Sequence, residues 1–148
     1  MPRDNKAVLI SIKPKWCELI ANGEKTIEVR KTKPAIKTPF KCYIYQSRGE
    51  RVVIGEFICN LIAPIAYTTD GFADIVDCET TCMTPQDFLN YGRGDVLYGW
   101  RISDLKIYDE PQELSEFEGL RKTKFGYEPI EIKKAPRNWC YVEEVKSL

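Results

Sequence analysis

Gly23-Glu24-Lys25-Thr26-Ile27-Glu28-Val29-Arg30 is the stretch on which the reading of this chain turns. It has the form G-x-K-x-x-E-x-R and follows a short amphipathic segment. A glycine suits the end of a helix, where the chain adopts the left-handed conformation. Ile27 to Arg30 then alternates apolar with charged, as a strand does. Glu28 and Arg30 share one face, while Ile27 and Val29 point the other way, into a core. Strict alternation sets Lys25 opposite Glu28 and Arg30; it joins them only if the chain is still turning after Gly23. The octet reads as a helix-to-strand corner that presents a lysine, a carboxylate and a guanidinium to a cleft.

Working outward, Val8–Ile12 is an apolar run of strand length. Pro14 suits the first turn of a helix, and Trp16, Leu19 and Ile20 give that helix, 14–22, one apolar face. Residues 31–39, with two prolines, read as a loop. Cys42–Gln46 and Val52–Leu61 read as strands joined by a Ser47-Arg48-Gly49-Glu50 turn. Residues 63–83 read as irregular, with a Thr68-Thr69-Asp70-Gly71 turn. Thr84-Pro85 opens a short helix through Leu89, with Thr84 as its cap. Gly92–Asp95 turns into a strand, Val96–Tyr108; 111–124 reads as partly helical; Trp139–Val142 reads as a closing strand. The expectation is an α+β fold: a small mixed β-barrel of about six strands with two or three short helices, residues 1–148 forming one domain.

Composition narrows the chemistry. The 148 residues are 43% hydrophobic and 30% charged, ordinary for a globular protein. No apolar run approaches the roughly 20 residues that span a bilayer, and the N-terminus lacks a signal peptide's apolar region, so a cytoplasmic location with no membrane partner is expected. The chain has six cysteines and no histidine. Ser-His-Asp, Cys-His and His-metal chemistry are excluded, and acid–base work falls to carboxylates, lysine, tyrosine, cysteine or the N-terminal amine. Cys17, Cys42, Cys59 and Cys140 lie in apolar-rich elements and read as small buried hydrophobes. Cys78 and Cys82 form a C-x3-C without the further ligands zinc requires, so neither a metal nor another cofactor is expected. Charge is zero overall but segregated: residues 1–51 hold 12 basic against 5 acidic side chains, 52–119 hold 3 against 13, and 120–148 hold 7 against 4. The first third and the tail form a basic face for phosphates if the fold brings them together; otherwise both signs mix on the surface.

The first-choice site is Lys25, Thr26, Glu28 and Arg30. An arginine grips phosphate or carboxylate in two-pronged fashion; a carboxylate accepts hydrogen bonds from an exocyclic amine such as that of cytosine; a desolvated lysine acts as a base. The plain alternative is a Glu28–Arg30 surface pair beside a solvated lysine. Lys13 and Lys15 flank Pro14 at a helix start, where anions are favoured; the alternative is two solvated lysines. Most of the aromatics read as core, with Tyr45 and Trp100 kept as candidates for stacking a base.

The octet, through Gly23, Lys25, Glu28 and Arg30, resembles the signature of the ASCH family, a branch of the PUA-like superfamily of small β-barrels. The flanks agree: Val8–Ile12, Lys13-Pro14-Lys15-Trp16, and later Tyr98-Gly99-Trp100 and Trp139-Cys140-Tyr141-Val142, which look like strands of small bacterial and phage members. The resemblance implies binding of RNA, or of a nucleotide or modified nucleoside, in the cleft between helix and barrel. In some members it implies hydrolysis of N4-acetylcytidine, in others ribonuclease activity. In the hydrolase branch the motif lysine, matched by Lys25, works with a threonine at the position of Glu28 and with a further acid, for which Glu79 and Glu56 are candidates. Here Glu28 replaces the threonine and Thr26 is two residues displaced. Lys25 and Glu28 are therefore the catalytic candidates only if this chain is an enzyme, with Glu28 acting as a base on water. Binding is the expected function and hydrolysis the runner-up.

Overall fold

A computed structural model describes residues 6–67 and 75–146. The first strand, β1 (Lys6–Ile12), is buried along nearly its whole length, because KAVLISI is apolar on both faces. It lies between β3 (Phe40–Gln46), which it pairs in parallel, and β8 (Trp139–Glu143), which it pairs antiparallel. The remaining strands are β2 (Ile27–Arg30), β4 (Val53–Ile65), β5 (Leu97–Gln112), β6 (Glu118–Thr123) and β7 (Gly126–Glu131). All eight form one sheet in the order β2-β5-β4-β3-β1-β8-β6-β7. Among the described residues three α-helices accompany it, α1 (Pro14–Ala21), α2 (Ile75–Thr81) and α3 (Pro85–Gly92), with one 3-10 turn at Leu114–Glu116.

The mixed α+β class stands, but the sheet has eight strands rather than about six, and its hydrogen-bond ladder is open, with β2 and β7 as edges. It nonetheless coils. The 13-residue β4 and the 16-residue β5 are paired through three register shifts, and bulges of this kind bend and twist a ladder. As a result Trp100 of β5 and Trp139 of β8 meet with ring centroids 6.0 Å apart, although β4, β3 and β1 lie between their strands. Val8, Ile10 and Ile12 point into this inner core with Phe57, Trp100, and Cys17 and Ile20 of α1. Ala7 and Leu9 point into a second core with Tyr43, Tyr45, Val53 and Phe117.

The two extra strands come from a segment whose sequence carries no clear period. The part-helical reading of 111–124 holds only for the single 3-10 turn; the rest is the end of β5 and all of β6. What makes the β6–β7 hairpin is its turn: the Thr123 hydroxyl accepts from Phe125 N–H at 3.2 Å and donates to Gly126 O at 3.0 Å. Gly126, at φ 116, takes a conformation that suits glycine. Residues 63–83 are also more regular than expected, because β4 runs on to Ile65 and α2 follows; the Thr68–Gly71 turn lies outside the described residues. Thr84 does cap α3, in a reciprocal box with Asp87.

Where the ladder stays open, side chains bridge the seam: Asn138 and Trp139 both donate to the Thr32 hydroxyl, at 3.1 and 3.0 Å, and Arg30 makes the largest set of bonds. Arg30, on edge strand β2, donates from Nη2 to Ser11 O on β1 at 2.6 Å, and from Nη1 to Asn138 Oδ1, just before β8, at 2.7 Å. It also donates from Nε and Nη2 to Glu28 Oε2 at 3.2 and 2.8 Å. A long Nη1 contact to Asn138 O, 3.4 Å, completes the set. All five N–H donors of a guanidinium are thereby engaged within the protein.

Two predictions follow from this packing. Arg30→Lys loses the fork and is expected to cost about 2 kcal/mol. Arg30→Ala leaves Glu28 buried without its main partner and is expected to cost about 3–5 kcal/mol. Urea unfolding measures both, and a wild-type midpoint for Arg30→Ala would show that Arg30 does not clamp the seam. The second concerns pH. Burial pushes the thiol of Cys17 from its ordinary 9.0 up to about 12, those of Cys59 and Cys140 up to about 11, and the Tyr43 hydroxyl from 10.0 up to about 12. An acid with a raised folded pKa contributes stability that is whole below its unfolded pKa and lost as pH rises through the folded one. Stability is therefore expected to hold to about pH 9 and to fall between about pH 9 and pH 12. Buried Lys25, whose pKa is lowered, works in the opposite sense, one group against seven, since burial also raises Cys42, Tyr91 and Tyr108. Denaturant midpoints from pH 7 to pH 11 that stay level would contradict this.

Candidate functional site

The site begins at the end of α1. Gly23 adopts φ 86, and the turn it makes lets Lys25 N–H donate to Leu19 O at 2.9 Å. Strand β2 starts only at Ile27, so the chain is still turning at Lys25 and strict alternation does not apply to it. Lys25 and Glu28 therefore come together, with Nζ to Oε1 at 3.6 Å. Both are charged residues in a buried setting, 2% and 4% exposed.

Three groups hold the Lys25 ammonium: Thr81 O at the end of α2 accepts from Nζ at 2.7 Å, Glu28 faces it, and the Trp16 ring lies 4.8 Å away. Burial lowers the pKa of Lys25 and the Glu28 carboxylate partly offsets that. Glu28 Oε2 is filled by the two bonds from Arg30, and Oε1 accepts from Val29 N–H at 3.3 Å. A lysine whose charged form is penalised beside a carboxylate fixed by an arginine is a combination able to move protons or to recognise a donor–acceptor edge.

These groups form the floor of a cleft of about 850 Å³, within the size range of small-molecule and cofactor sites. Lys13, Lys31, Arg48 and Arg137 surround the floor, with all four exposed. With Lys25 and Arg30 the lining has six cations against two carboxylates, Glu28 and Asp87. Every one of the cations comes from the two basic segments of the sequence, 1–51 and 120–148. Trp16 of α1 and Tyr91 of α3 supply the aromatic surface; Lys31 Nζ lies 5.3 Å over the Tyr91 ring and 3.9 Å from Asp95.

Of the residues chosen from sequence, Lys13, Lys25, Glu28 and Arg30 line the cleft, and Lys15, Thr26, Tyr45 and Trp100 do not. Lys15 is exposed with its Nζ 4.6 Å from the Trp16 ring. Thr26 contributes backbone bonds, to Thr80 O and from Ile102 N–H, and its side chain is exposed. Tyr45 and Trp100 are core residues, 6% and 0% exposed, and the Trp100 indole N–H donates to Thr32 O at 3.3 Å. Glu56 pairs with Lys41 at 2.9 Å and accepts from the Tyr108 hydroxyl at 2.8 Å, away from the cleft. Glu79 does not line it either. The sequence reading missed Lys31, Arg48, Tyr91 and Arg137, and left Trp16 among the core aromatics. The signal for the two arginines was the charge segregation itself; nothing local marked Tyr91 as different from a core aromatic.

Among the described residues no helix is long and apolar enough to cross a membrane, and no group of three or more His, Cys, Asp or Glu side chains is arranged to hold a metal. None of the six cysteines forms a disulfide.

No curated protein matches this chain closely in sequence. Among solved structures, the fold is similar to the crystal structure of ASCH from Zymomonas mobilis, at a TM-score of 0.63 and 20% identity, over 93% of this chain and 88% of that one. A serine-to-alanine mutant of that protein gives 0.64 at 20% identity, over 93% and 89%. A tyrosine-to-phenylalanine mutant gives 0.58 at 17%, over 91% and 88%. At such identity the likeness speaks for the fold. The model of the ASCH domain family itself matches residues 10–136. With that match spanning most of the sequence, and with the coiled sheet agreeing with a PUA-like architecture, this chain belongs to the ASCH domain family.

Proposed function

We propose that the cleft binds RNA, or a nucleotide or modified nucleoside, with phosphate held at the rim and the base read at the floor. The observation that carries this reading is the excess of six cations over two carboxylates around a cleft of about 850 Å³. The ASCH family, PUA-like in fold, is generally linked to RNA binding. Lys13, Arg48 and Arg137 are exposed and reach phosphate oxygens. Arg30 has no donor left over, so its part is to position Glu28 rather than to grip a ligand. Glu28 Oε1 accepts from an exocyclic amine, Lys25 donates to a neighbouring carbonyl, and Trp16 or Tyr91 stacks on the ring. Lys15, Thr26, Tyr45 and Trp100 have no part in it.

A second reading is favoured by one observation, the buried Lys25 with its lowered pKa beside Glu28. On that reading the protein is an amidohydrolase of N4-acylated cytidine, or a ribonuclease. Glu28 would take a proton from water as the oxygen attacks the acyl carbon, Lys25 would stabilise the resulting oxyanion, and the proton would pass to the departing amine.

Two measurements test these readings. Binding of a labelled single-stranded oligoribonucleotide is expected to weaken steeply with salt. Arg48→Glu with Arg137→Glu is expected to weaken it at least about tenfold and to flatten the log–log salt slope by about 1.4, two phosphates at about 0.7 each. An affinity indifferent to salt would count against the phosphate-holding rim. Chromatography of N4-acetylcytidine incubated with the protein is expected to show no cytidine, and the oligoribonucleotide is expected to stay intact. Cytidine or cleaved RNA produced by wild type, and by neither Glu28→Gln nor the volume-conserving Lys25→Met, would move the conclusion to the hydrolase.

A further inference from the structure

The β6–β7 hairpin stands outside the cleft and carries the most exposed large apolar side chain among the described residues. Phe125 is 99% exposed, at the tip of a hairpin fixed by the two Thr123 hydroxyl bonds. Arg121, Lys122 and Lys124 precede it, all exposed. Lone exposed apolar residues are common and need no explanation. An aromatic held on a stiff turn beside Lys122 and Lys124 is different, because that pairing of surfaces complements a base beside a phosphate.

Strand direction gives the tip its address. Gly119 of β6 pairs with Val142 of β8, antiparallel. From that pair β6 runs to Thr123 while β8 runs back towards Asn138, four residues in each case, or roughly 13 Å. The tip thus lies towards the end of the sheet at which Arg137 and Asn138 line the cleft. Between the two runs a row of half-buried aromatics: Trp139 and Tyr141 with centroids 5.4 Å apart, then Tyr141 and Tyr127 at 5.6 Å. Lys122 stands opposite Tyr127 in the ladder and so shares its face. Arg121 is turned to the other face, paired with Glu128.

We infer that this hairpin is an arm for a polynucleotide strand, and that the ligand of the cleft is a nucleotide within an RNA chain rather than a free nucleoside. The inference rests on the nucleotide-binding reading of the cleft. The strand leaves the cleft past Arg137, follows the aromatic row, and ends with a base stacked on Phe125 while Lys122 and Lys124 hold its phosphates.

The test compares two ligands. One is a labelled single-stranded oligoribonucleotide of about twelve nucleotides, followed by fluorescence anisotropy; the other is cytidine 5′-monophosphate, followed by calorimetry. Wild type is expected to bind the oligonucleotide far more tightly than the monophosphate. Phe125→Ala is expected to weaken the oligonucleotide about tenfold and to leave the monophosphate unchanged; Phe125 is 99% exposed, so the change removes no core packing, and a melting curve checks that the fold is intact. Lys122→Glu with Lys124→Glu is expected to act likewise and to flatten the salt slope. The cleft pair Arg48→Glu and Arg137→Glu is expected to weaken both ligands. If Phe125→Ala and the lysine pair bind the oligonucleotide within about twofold of wild type while the cleft pair does not, the arm is refuted and the cleft reading stands. If wild type binds neither ligand, the cleft reading fails and takes the arm with it.

Discussion

Arg30 sits where a coiled sheet meets itself without closing. A barrel satisfies its edge strands by pairing them; here the four-residue β2 pairs only with β5 and is left as an edge. The guanidinium spans the gap instead, with bonds to β1, to the turn before β8, and to Glu28 on its own strand. Burying three ionic groups together is costly unless each is hydrogen-bonded. Among the described residues no buried side-chain nitrogen or oxygen lacks a partner, so the arrangement meets that condition. The cleft floor is a consequence, because the residue that fixes the seam is also the one that fixes the carboxylate.

That double duty divides the charges of the site into two kinds. Lys25, Glu28 and Arg30 are screened little by solvent, and their positions are set by the fold. Lys13, Lys31, Arg48 and Arg137 are exposed, so their mutual repulsion is weak in water and they remain free to move onto an anion. On the proposed binding reading, a rim of that kind would contribute attraction and speed of encounter, while discrimination between ligands would fall to the buried floor, where an unpaired group costs the most.

How far the sequence revealed this depends on what each residue's position encodes. The α1–β2 corner was legible, because Pro14, the Trp16-Leu19-Ile20 face and Gly23 all specify the same local structure. Glu28 and Arg30 on one face followed from strand alternation, and Lys25 joined them once the turn after Gly23 was allowed for. Trp100 and Tyr45 were misjudged because a strand's pattern does not say which face becomes core when the sheet coils; bulges in β4 and β5 decide that, and they leave no clear mark in sequence. The β6–β7 hairpin was missed for a related reason: Glu118-Gly119-Leu120-Arg121-Lys122-Thr123 has no buried face to impose a period of two. Arg48 and Arg137 lie far apart in sequence and line one cleft because β3 ends and β8 begins at the same end of the sheet.

The acceptor count on Glu28 links binding to protonation. A carboxylate has about four lone-pair sites. Arg30 takes two on Oε2, and the Val29 amide takes one on Oε1. One site on Oε1 remains, and it faces Lys25 at 3.6 Å, longer than a hydrogen bond. On the proposed binding reading, a ligand amine entering the cleft would compete with Lys25 for that site. If the amine prevails, Lys25 keeps its bond to Thr81 O and the nearby Trp16 ring but loses part of the carboxylate's compensation, while its burial is unchanged. Its charged form is then penalised further, and a proton leaves more easily. A carbonyl on the same ligand, placed near Nζ, acts the other way by accepting from the ammonium. The floor is therefore best matched to an edge that offers a donor and an acceptor side by side, as an amino group next to a ring carbonyl or ring nitrogen does, and worst matched to one that offers donors alone.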